Sequence, residues 1–221
     1  MLLLVLEWAT IKLILWILGS VVLLGGSVYV IGNWPTIYGK TICVLGLPQT
    51  GKTLFFQGLQ SQWTFAPDET NVNEVETFKL KNSSGETLLK IRDTKDIGGG
   101  DNFAIQYYGE LIKNSDIIIF CCNIDEYIND KNSEAHVKDR LQYIYTLMEK
   151  YKKVKKDAEE NGVRIILSYA DQVEDRKEAM AYFVASISNE PYSYFAKHVA
   201  TVNMTNQDEV VELITKKMIW K

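Results

Sequence analysis

Short apolar runs alternate with longer stretches of helical periodicity through most of the chain. The apolar runs have the length and β-branched content of buried strands. They are 41–46, 116–123, 163–169 and 198–203. Apolar positions at helical spacing predict the helices between and after them. These helices are 52–60, 133–159, 176–187 and 208–218. The alternation predicts a mostly parallel sheet with helices on both faces, which is a three-layer α/β fold.

Two further runs interrupt this alternation. Residues 75–80 and 87–93 both show period-two patterning, and the turn residues Asn, Ser and Gly lie between them. This pattern predicts an antiparallel hairpin. The acidic segment 125–136 is predicted to be a surface loop.

The N-terminal region carries the longest apolar stretch. Residues Leu13–Ile31 are nineteen positions without a charge, and as a helix they would reach about 28 Å, close to the thickness of a bilayer's hydrocarbon core. We therefore predict one transmembrane helix. A cleaved signal peptide and a buried core helix are the alternatives, although the apolar run is longer than a signal core and no A-x-A-like site follows it.

A change of composition follows this stretch. Residues 32–40 contain two glycines and a proline, which are typical of a linker. The predicted organisation is a transmembrane anchor at 1–31, a linker at 32–40 and one globular domain at 41–221.

Net charge and cysteine spacing bear on two questions: whether the chain binds nucleic acid, and whether its cysteines form disulfides or a zinc site. With 24 basic and 28 acidic residues the net charge is -4, which disfavours the basic surface of a nucleic-acid-binding protein. Cys43, Cys121 and Cys122 lie in apolar runs without disulfide or zinc-ligand spacing. We expect reduced core cysteines and no nucleic-acid partner.

A lysine framed by glycines follows the first strand of the predicted domain. Gly46, Gly51, Lys52 and Thr53 match G-x-x-x-x-G-K-[ST] between a predicted strand and a predicted helix. The glycines let backbone N–H groups and the helix N-terminus face an anionic phosphate. A lysine here reaches the β- and γ-phosphates, and a threonine hydroxyl ligates Mg²⁺. The motif predicts a phosphate-binding loop; a tight glycine turn beside a solvated lysine is the alternative.

Two later segments offer further ligands for a metal ion. Asp93 ends the second strand of the predicted hairpin, where a carboxylate either holds Mg²⁺ through water or caps a loop. Thr64 and Thr70 lie in the polar stretch before the hairpin, and either hydroxyl is a candidate ligand.

With these motifs, residues from about 40 to 219 resemble the Ras-like small GTPases, a family of P-loop NTPases. Within that family the chain resembles the Arf branch and the beta subunits of the signal recognition particle receptor, in which a transmembrane helix also precedes the GTPase domain. The resemblance implies a Ras-like fold that binds GTP or GDP with Mg²⁺. It also implies metal contacts from Thr53, Thr70 and Asp93, with Thr70 preferred over Thr64.

The resemblance also implies which residues contact the nucleotide. The phosphate-side contacts are Gly46, Gln49, Thr50, Gly51, Lys52, Thr53 and Leu54. The segment "LSYAD" takes the place of the family's N-K-x-D motif, so Asp171 is expected to accept from guanine, with Ser168 and Tyr169 replacing asparagine and lysine. Asn203 and Met204 take the place of the family's S-A-K loop, where backbone contacts are expected. The alternative is a purely structural role, in which Asp171 caps the following helix.

Two departures from the family concern hydrolysis. The segment "IRDTKDIGG" takes the place of D-x-x-G, and Asp96 stands where the family has the glycine that senses the γ-phosphate. No glutamine follows directly to position a water molecule. We therefore expect slow hydrolysis, or hydrolysis only with an activating partner.

These features predict a membrane-anchored, GTP-binding switch that recruits or controls a protein partner, with its C-terminal domain in the cytosol. A nucleotide-binding scaffold subunit that does not hydrolyse GTP is the alternative from another functional class. An ATPase is the third, because the base site departs from the family's motif.

Overall fold

The computed structural model describes residues 21–23, 28–32, 40–59, 73–75, 78–81, 87–91, 94–96, 100–151 and 163–218. The strands are β1 (Val21–Leu23), β2 (Tyr29–Ile31), β3 (Ile42–Gly46), β4 (Asn73–Val75), β5 (Phe78–Lys81), β6 (Thr87–Ile91), β7 (Thr94–Asp96), β8 (Ile117–Asn123), β9 (Arg164–Ser168) and β10 (Val199–Thr201). The helices are α1 (Lys52–Leu59), α2 (Asp101–Asn114), α3 (Ile124–Asn129), α4 (Lys131–Lys150), α5 (Arg176–Ile187) and α6 (Gln207–Glu212), with a 3₁₀ helix at Ser193–Lys197 and a π-helical turn at Leu213–Met218.

The main sheet has six strands in the order β1-β2-β10-β9-β8-β3. The four strands from β10 to β3 are parallel. Strand β2 pairs antiparallel with β10 at the edge, and β1 pairs antiparallel with β2. The parallel strands read as continuous apolar runs because both sheet faces are covered. Since they are parallel, their carboxyl ends share one edge of the sheet, where ligands bind in open α/β folds.

Helices cover both faces of this sheet. One face packs against α2, α4 and α5, with Tyr108, Leu141 and Phe183 fully buried in that core. The other face packs against α1 and the C-terminal helices, with Phe55 and Leu213 fully buried. The predicted three-layer α/β fold is confirmed.

The predicted hairpin is also present. Strands β5 and β6 pair antiparallel, with Phe78 opposite Ile91, around the predicted turn region. Strands β4 and β7 form a second antiparallel pair, in which Asn73 lies opposite Asp96. The sequence pattern did not predict this second pair, whose strands are only three residues long.

The predicted N-terminal helix is wrong where its residues are described. Instead of one helix over Leu13–Ile31, the chain forms strands β1 and β2, and β2 pairs with β10 through Val30 opposite Ala200. Val30 is 1% exposed. The β-branched residues on both sides of Gly25 and Gly26 are the physical reason, since two such runs around a glycine pair favour a hairpin.

No helix in the described part of the chain has both the length and the apolar character needed to cross a bilayer. Residues 1–20 lie outside the described residues, and so do 33–39 of the predicted linker. The division into anchor, linker and domain stays a prediction.

The segment between β8 and α4 was predicted to be a loop and is helical instead. The side chain of Asn123 accepts from the Glu126 N–H at the start of α3, and Asp130 accepts from the N–H groups of Asn132 and Ser133 at the start of α4. Asn and Asp at the N-cap are strong helix starts. The polar composition of the segment reflects these caps and the exposed face of α3.

The three cysteines behave as predicted. Cys43, Cys121 and Cys122 are free thiols buried within the strands of the main sheet. Burial raises the pKa of the Cys43 thiol to about 12, so the reactive thiolate is scarce at neutral pH.

Candidate phosphate and base site

The predicted phosphate loop connects β3 to α1, as the motif requires. Gly46 ends the strand and Lys52 begins the helix. Positive φ angles at Gly46 (151°), Gln49 (57°) and Gly51 (81°) curl the backbone of this loop. The geometry is that of the strand–loop–helix unit of P-loop proteins, which aims backbone N–H groups at a bound anion.

Glycine is required at both motif positions for two reasons: the backbone has a positive φ, and neighbouring atoms leave no room for a Cβ. A Cβ on Gly46 would lie 2.3 Å from the carbonyl oxygen of Cys121, and a Cβ on Gly51 would lie 2.8 Å from Cγ of Met204. Real Cβ atoms do not approach so closely, so larger residues would displace the loop. The contact between Gly51 and Met204 also joins the phosphate loop to the loop after β10.

The side chains of Thr50 and Lys52 are turned inward, whereas those of Pro48 and Gln49 are exposed. Lys52 is 6% exposed, and its Nζ donates to the carbonyl of Leu47 at 2.6 Å. The hydroxyl of Thr50 donates to the same carbonyl at 2.9 Å. The ammonium group therefore lies within the curl of the loop, where it can balance the charge of a phosphate.

A tyrosine from α2, Tyr108, is hydrogen-bonded to the start of the loop. The Gly46 N–H donates to the hydroxyl oxygen of Tyr108 at 3.1 Å, and this hydroxyl donates back to the Gly46 carbonyl at 3.3 Å. Arg140 of α4 donates to the same hydroxyl at 3.1 Å and also to the carboxylate of Asp101. Burial raises the pKa of Tyr108 while Arg140 opposes that rise, so the hydroxyl stays protonated and can donate.

The residues predicted to face the base lie on the same edge of the sheet. Ser168 is fully buried at the end of β9, and its hydroxyl donates to the Cys122 carbonyl at 3.0 Å, which ties β9 to β8. Tyr169 follows with a positive φ of 57°, an uncommon conformation for a bulky residue that often marks a functional constraint. Burial raises the pKa of Tyr169, and Glu126 and Asp171 add to the rise. The side chain of Asp171 is exposed.

The loop after β10 carries the other two predicted base contacts. Asn203 uses its side-chain oxygen to accept from the N–H and the hydroxyl of Thr205, at 2.9 and 2.7 Å. Met204 is 3% exposed and packs against Gly51. Phosphate-side and base-side residues are therefore neighbours across the carboxyl edge of the sheet.

The predicted metal ligands are only partly described. Thr53 is the second residue of α1 and is partly exposed, whereas Thr70 and Asp93 lie outside the described residues, as does Thr64. Within the described ranges no group of three or more His, Cys, Asp or Glu residues is arranged to hold a metal ion. The Mg²⁺ site stays a prediction that rests on the motif.

A cleft of about 710 Å³ borders the outer side of the phosphate loop. Leu47 and Gln49 line it from the loop, Ile105 from α2, and Arg140 from α4. Ile105 is 73% exposed, which is unusual for a large apolar residue.

Tyr108 and Arg140 were not predicted as part of the site. Tyr108 lies in α2, which was not predicted, whereas Arg140 lies in α4, where a signal was present. In α4 the positions Val137, Leu141 and Ile144 form an apolar stripe, and Arg140 lies within it. A charged residue on a buried stripe indicates a specific partner.

Comparison with known proteins gives little further information. No family model and no curated protein matches the chain. Among solved structures, the chain is similar to a bacterial selenocysteine-specific elongation factor, with 14% sequence identity and a TM-score of 0.47. The match covers 81% of this chain and 28% of that one, so this chain spans less than a third of its length.

Proposed function

We propose that this chain binds a guanine nucleotide with Mg²⁺ and acts as a nucleotide-dependent switch that controls a protein partner at a membrane. The observation that carries the proposal is the inward-facing Lys52 within a glycine-framed loop between β3 and α1. Such a loop suits a polyphosphate chain, because its amides and its lysine complement negative charge.

In this proposal different residues of the chain contact the phosphates, the metal ion and the base. The loop around Gly46 and Gly51 holds the phosphates, and Lys52 offsets their charge. The hydroxyl of Thr53 would ligate Mg²⁺, which neutralises charge that develops on the phosphates. Asp171 would accept from guanine, and the ring of Tyr169 would lie against the base.

A scaffold that holds nucleotide without turning it over is the second candidate. The position of Asp96 favours it. This residue stands at the family's γ-phosphate-sensing glycine, and its backbone lies in β7, paired with Asn73 of β4. A backbone committed to a strand pair is less available to respond to the γ-phosphate.

Single-turnover hydrolysis separates a switch with intrinsic turnover from the scaffold. The full chain is loaded with GTP and Mg²⁺, and GDP is measured over hours. A switch with intrinsic turnover gives a first-order rise in GDP, whereas a scaffold gives unchanged GTP. Competition of ATP against GTP in the same preparation tests the third candidate, an ATPase, which requires ATP to displace GTP efficiently.

Membrane attachment is a separate part of the proposal. Residues 13–20 belong to the apolar run and carry no charge, but the strands at 21–23 and 29–31 compete with a helix over the rest of that run. Flotation of the full chain with phospholipid vesicles, before and after carbonate extraction, tests the anchor. A chain that resists extraction supports a spanning segment, and one that stays with the soluble fraction refutes the anchor.

A further inference from the structure

A buried ion pair connects the two loops of the base side. Arg176 is the first residue of α5 and Glu209 is the third residue of α6. Their closest contact joins Nη1 of Arg176 to Oε2 of Glu209 at 2.8 Å, and a second joins Nη2 to Oε1 at 3.4 Å. The side chains are 17% and 5% exposed. The planar guanidinium thus meets both carboxylate oxygens, which fixes the relative orientation of the two side chains.

Each partner of this pair also holds the backbone of one loop. Nε of Arg176 donates to the carbonyl of Ala170 at 2.8 Å, in the loop after β9. Oε2 of Glu209 accepts from the N–H of Asn203 at 2.9 Å, in the loop after β10. The pair is therefore a bridge between the two segments that the sequence assigns to the base.

The Arg176–Glu209 ion pair is not readily explained by a contribution to folding stability. Burying an ion pair costs desolvation energy that its attraction often only offsets, and apolar residues of similar volume stabilise a fold at least as well. What the pair adds is geometry, because it sets the separation of two backbones that otherwise belong to different strands.

We propose that Arg176 and Glu209 are positioning residues that set the base selectivity of the nucleotide site. The inference rests on the proposed function. Neither residue would touch the base. By holding Ala170 and Asn203 at a fixed separation, they would bring Tyr169 and Asp171 against a single purine edge. Without the bridge the two loops would move independently, and one purine would fit as well as the other.

The experiment compares ligands with and without a base on the full chain. Affinities for GDP, ADP and inorganic tripolyphosphate are measured by calorimetry for the unmodified chain and for Glu209→Gln, which keeps an acceptor for the Asn203 N–H and removes the charge. Asp208→Asn is the matched control, because it removes an exposed charge from the neighbouring position of α6.

We expect Glu209→Gln to weaken GDP binding about tenfold and to lower the ratio of GDP to ADP affinity by a similar factor, within the usual range of coupling between connected sites. Tripolyphosphate affinity should stay within about twofold, since the phosphate loop is intact. Asp208→Asn should change none of the three affinities.

A second variant distinguishes a loss of selectivity from a loss of folding. Removing Glu209 alone leaves the charge of Arg176 uncompensated, whereas Arg176→Gln with Glu209→Gln removes both charges and is better tolerated. The double variant should fold and show the same loss of selectivity. Equal losses for GDP and tripolyphosphate, or unchanged selectivity in a folded variant, would overturn the inference and leave the proposed function standing. An unmodified chain that binds none of the ligands would refute the proposed function itself.

Discussion

The phosphate side and the base side of the candidate site are built in different ways. The phosphate side is one local segment, Gly46–Thr53, whose glycines and lysine lie within eight consecutive residues. The base side combines two loops from separate strands and depends on the Arg176–Glu209 bridge to hold them together. In the proposed function, phosphate binding rests on a local motif, whereas base selectivity rests on contacts between residues distant in sequence.

Removal of strand β2 is expected to give the largest effect and to act mainly on the base side. A chain beginning at residue 28 keeps β2, whereas one beginning at residue 36 loses Val28, Val30 and Ile31, each at most 3% exposed. Burial of an aliphatic side chain stabilises by about 1.5–3 kcal/mol, so the free energy of unfolding should fall on the order of 5 kcal/mol. Urea unfolding of the two chains measures it.

Amide exchange in the same two chains tests which part of the sheet is destabilised. Since β2 pairs with β10, amide exchange at 199–204 should accelerate more than exchange at 42–46 in the shorter chain. Equal unfolding free energies, or equal acceleration at both places, would contradict the assignment of residues 28–32 to the sheet.

Substitution of the first motif glycine should break the phosphate side selectively. Gly46→Ala places a Cβ at 2.3 Å from the Cys121 carbonyl, so the loop must shift and we expect tripolyphosphate affinity to fall about 100-fold, the scale of a misplacement near 1 Å. Calorimetry measures it. Gly109→Ala is the control, because a Cβ there meets only ordinary contacts, the nearest at 3.6 Å, and binding should not change.

Acid should weaken the sheet at the start of β10, next to the base side. His198 is buried, and burial lowers its pKa to about 4, with Arg164 and Lys197 adding to the effect. Its pKa in the unfolded chain is about 6.5, so the unfolded state binds the proton more readily. The corresponding stability is complete above about pH 6.5 and is lost as the pH falls towards 4, by roughly 3 kcal/mol.

Thermal unfolding between pH 4 and 7 checks this dependence. His198→Gln removes the titrating group and should flatten the profile over that range. His136 is exposed, so His136→Gln should leave the profile as it is. A profile that His198→Gln does not change would refute the role of His198.

Loss of the Tyr108 hydroxyl should be the smallest of these effects and should act on the phosphate side alone. Tyr108→Phe removes the group that pairs with the Gly46 N–H and carbonyl and with Arg140. Losing partners for buried polar groups costs about 1–3 kcal/mol, so tripolyphosphate affinity should fall about tenfold. The ratio of GDP to ADP affinity should not change.

Tyr182→Phe is the control for this substitution, because Tyr182 lies on the surface of α5 and is 44% exposed. If Tyr108→Phe altered the GDP to ADP ratio as strongly as Glu209→Gln, the separation of the two sides would be wrong.

The sequence allowed a good prediction of those elements whose pattern is local. The helix over 176–187 and the strands that became β3, β8 and β9 were predicted within two residues of their observed bounds. The phosphate loop was predicted because its chemistry is contained in eight residues. By contrast, α2 was missed, since Tyr107 and Tyr108 interrupt a simple apolar stripe and the buried hydroxyl of Tyr108 is explained by partners distant in sequence, Gly46 and Arg140.

The N-terminal prediction failed for a different reason. An uncharged apolar run is compatible with a bilayer helix and with strands buried on both faces, and hydropathy alone does not separate them. Gly32 shows how closely the end of β2 is packed. Its φ of 77° and the Lys197 carbonyl at 2.2 Å from an added Cβ reflect close packing that arises only once β2 has joined the sheet.

We propose that the loop around Lys52 holds a nucleotide's phosphates. The most direct measurement is the nucleotide released from freshly purified full chain, compared with Lys52→Ala and with Lys113→Ala, an exposed lysine at the end of α2. We predict guanine nucleotide in equimolar amount from the unmodified chain and from Lys113→Ala, and none from Lys52→Ala. An unmodified chain that releases no nucleotide and binds none when supplied with GTP and Mg²⁺, or a Lys52→Ala variant that binds as well as the unmodified chain, would contradict the claim.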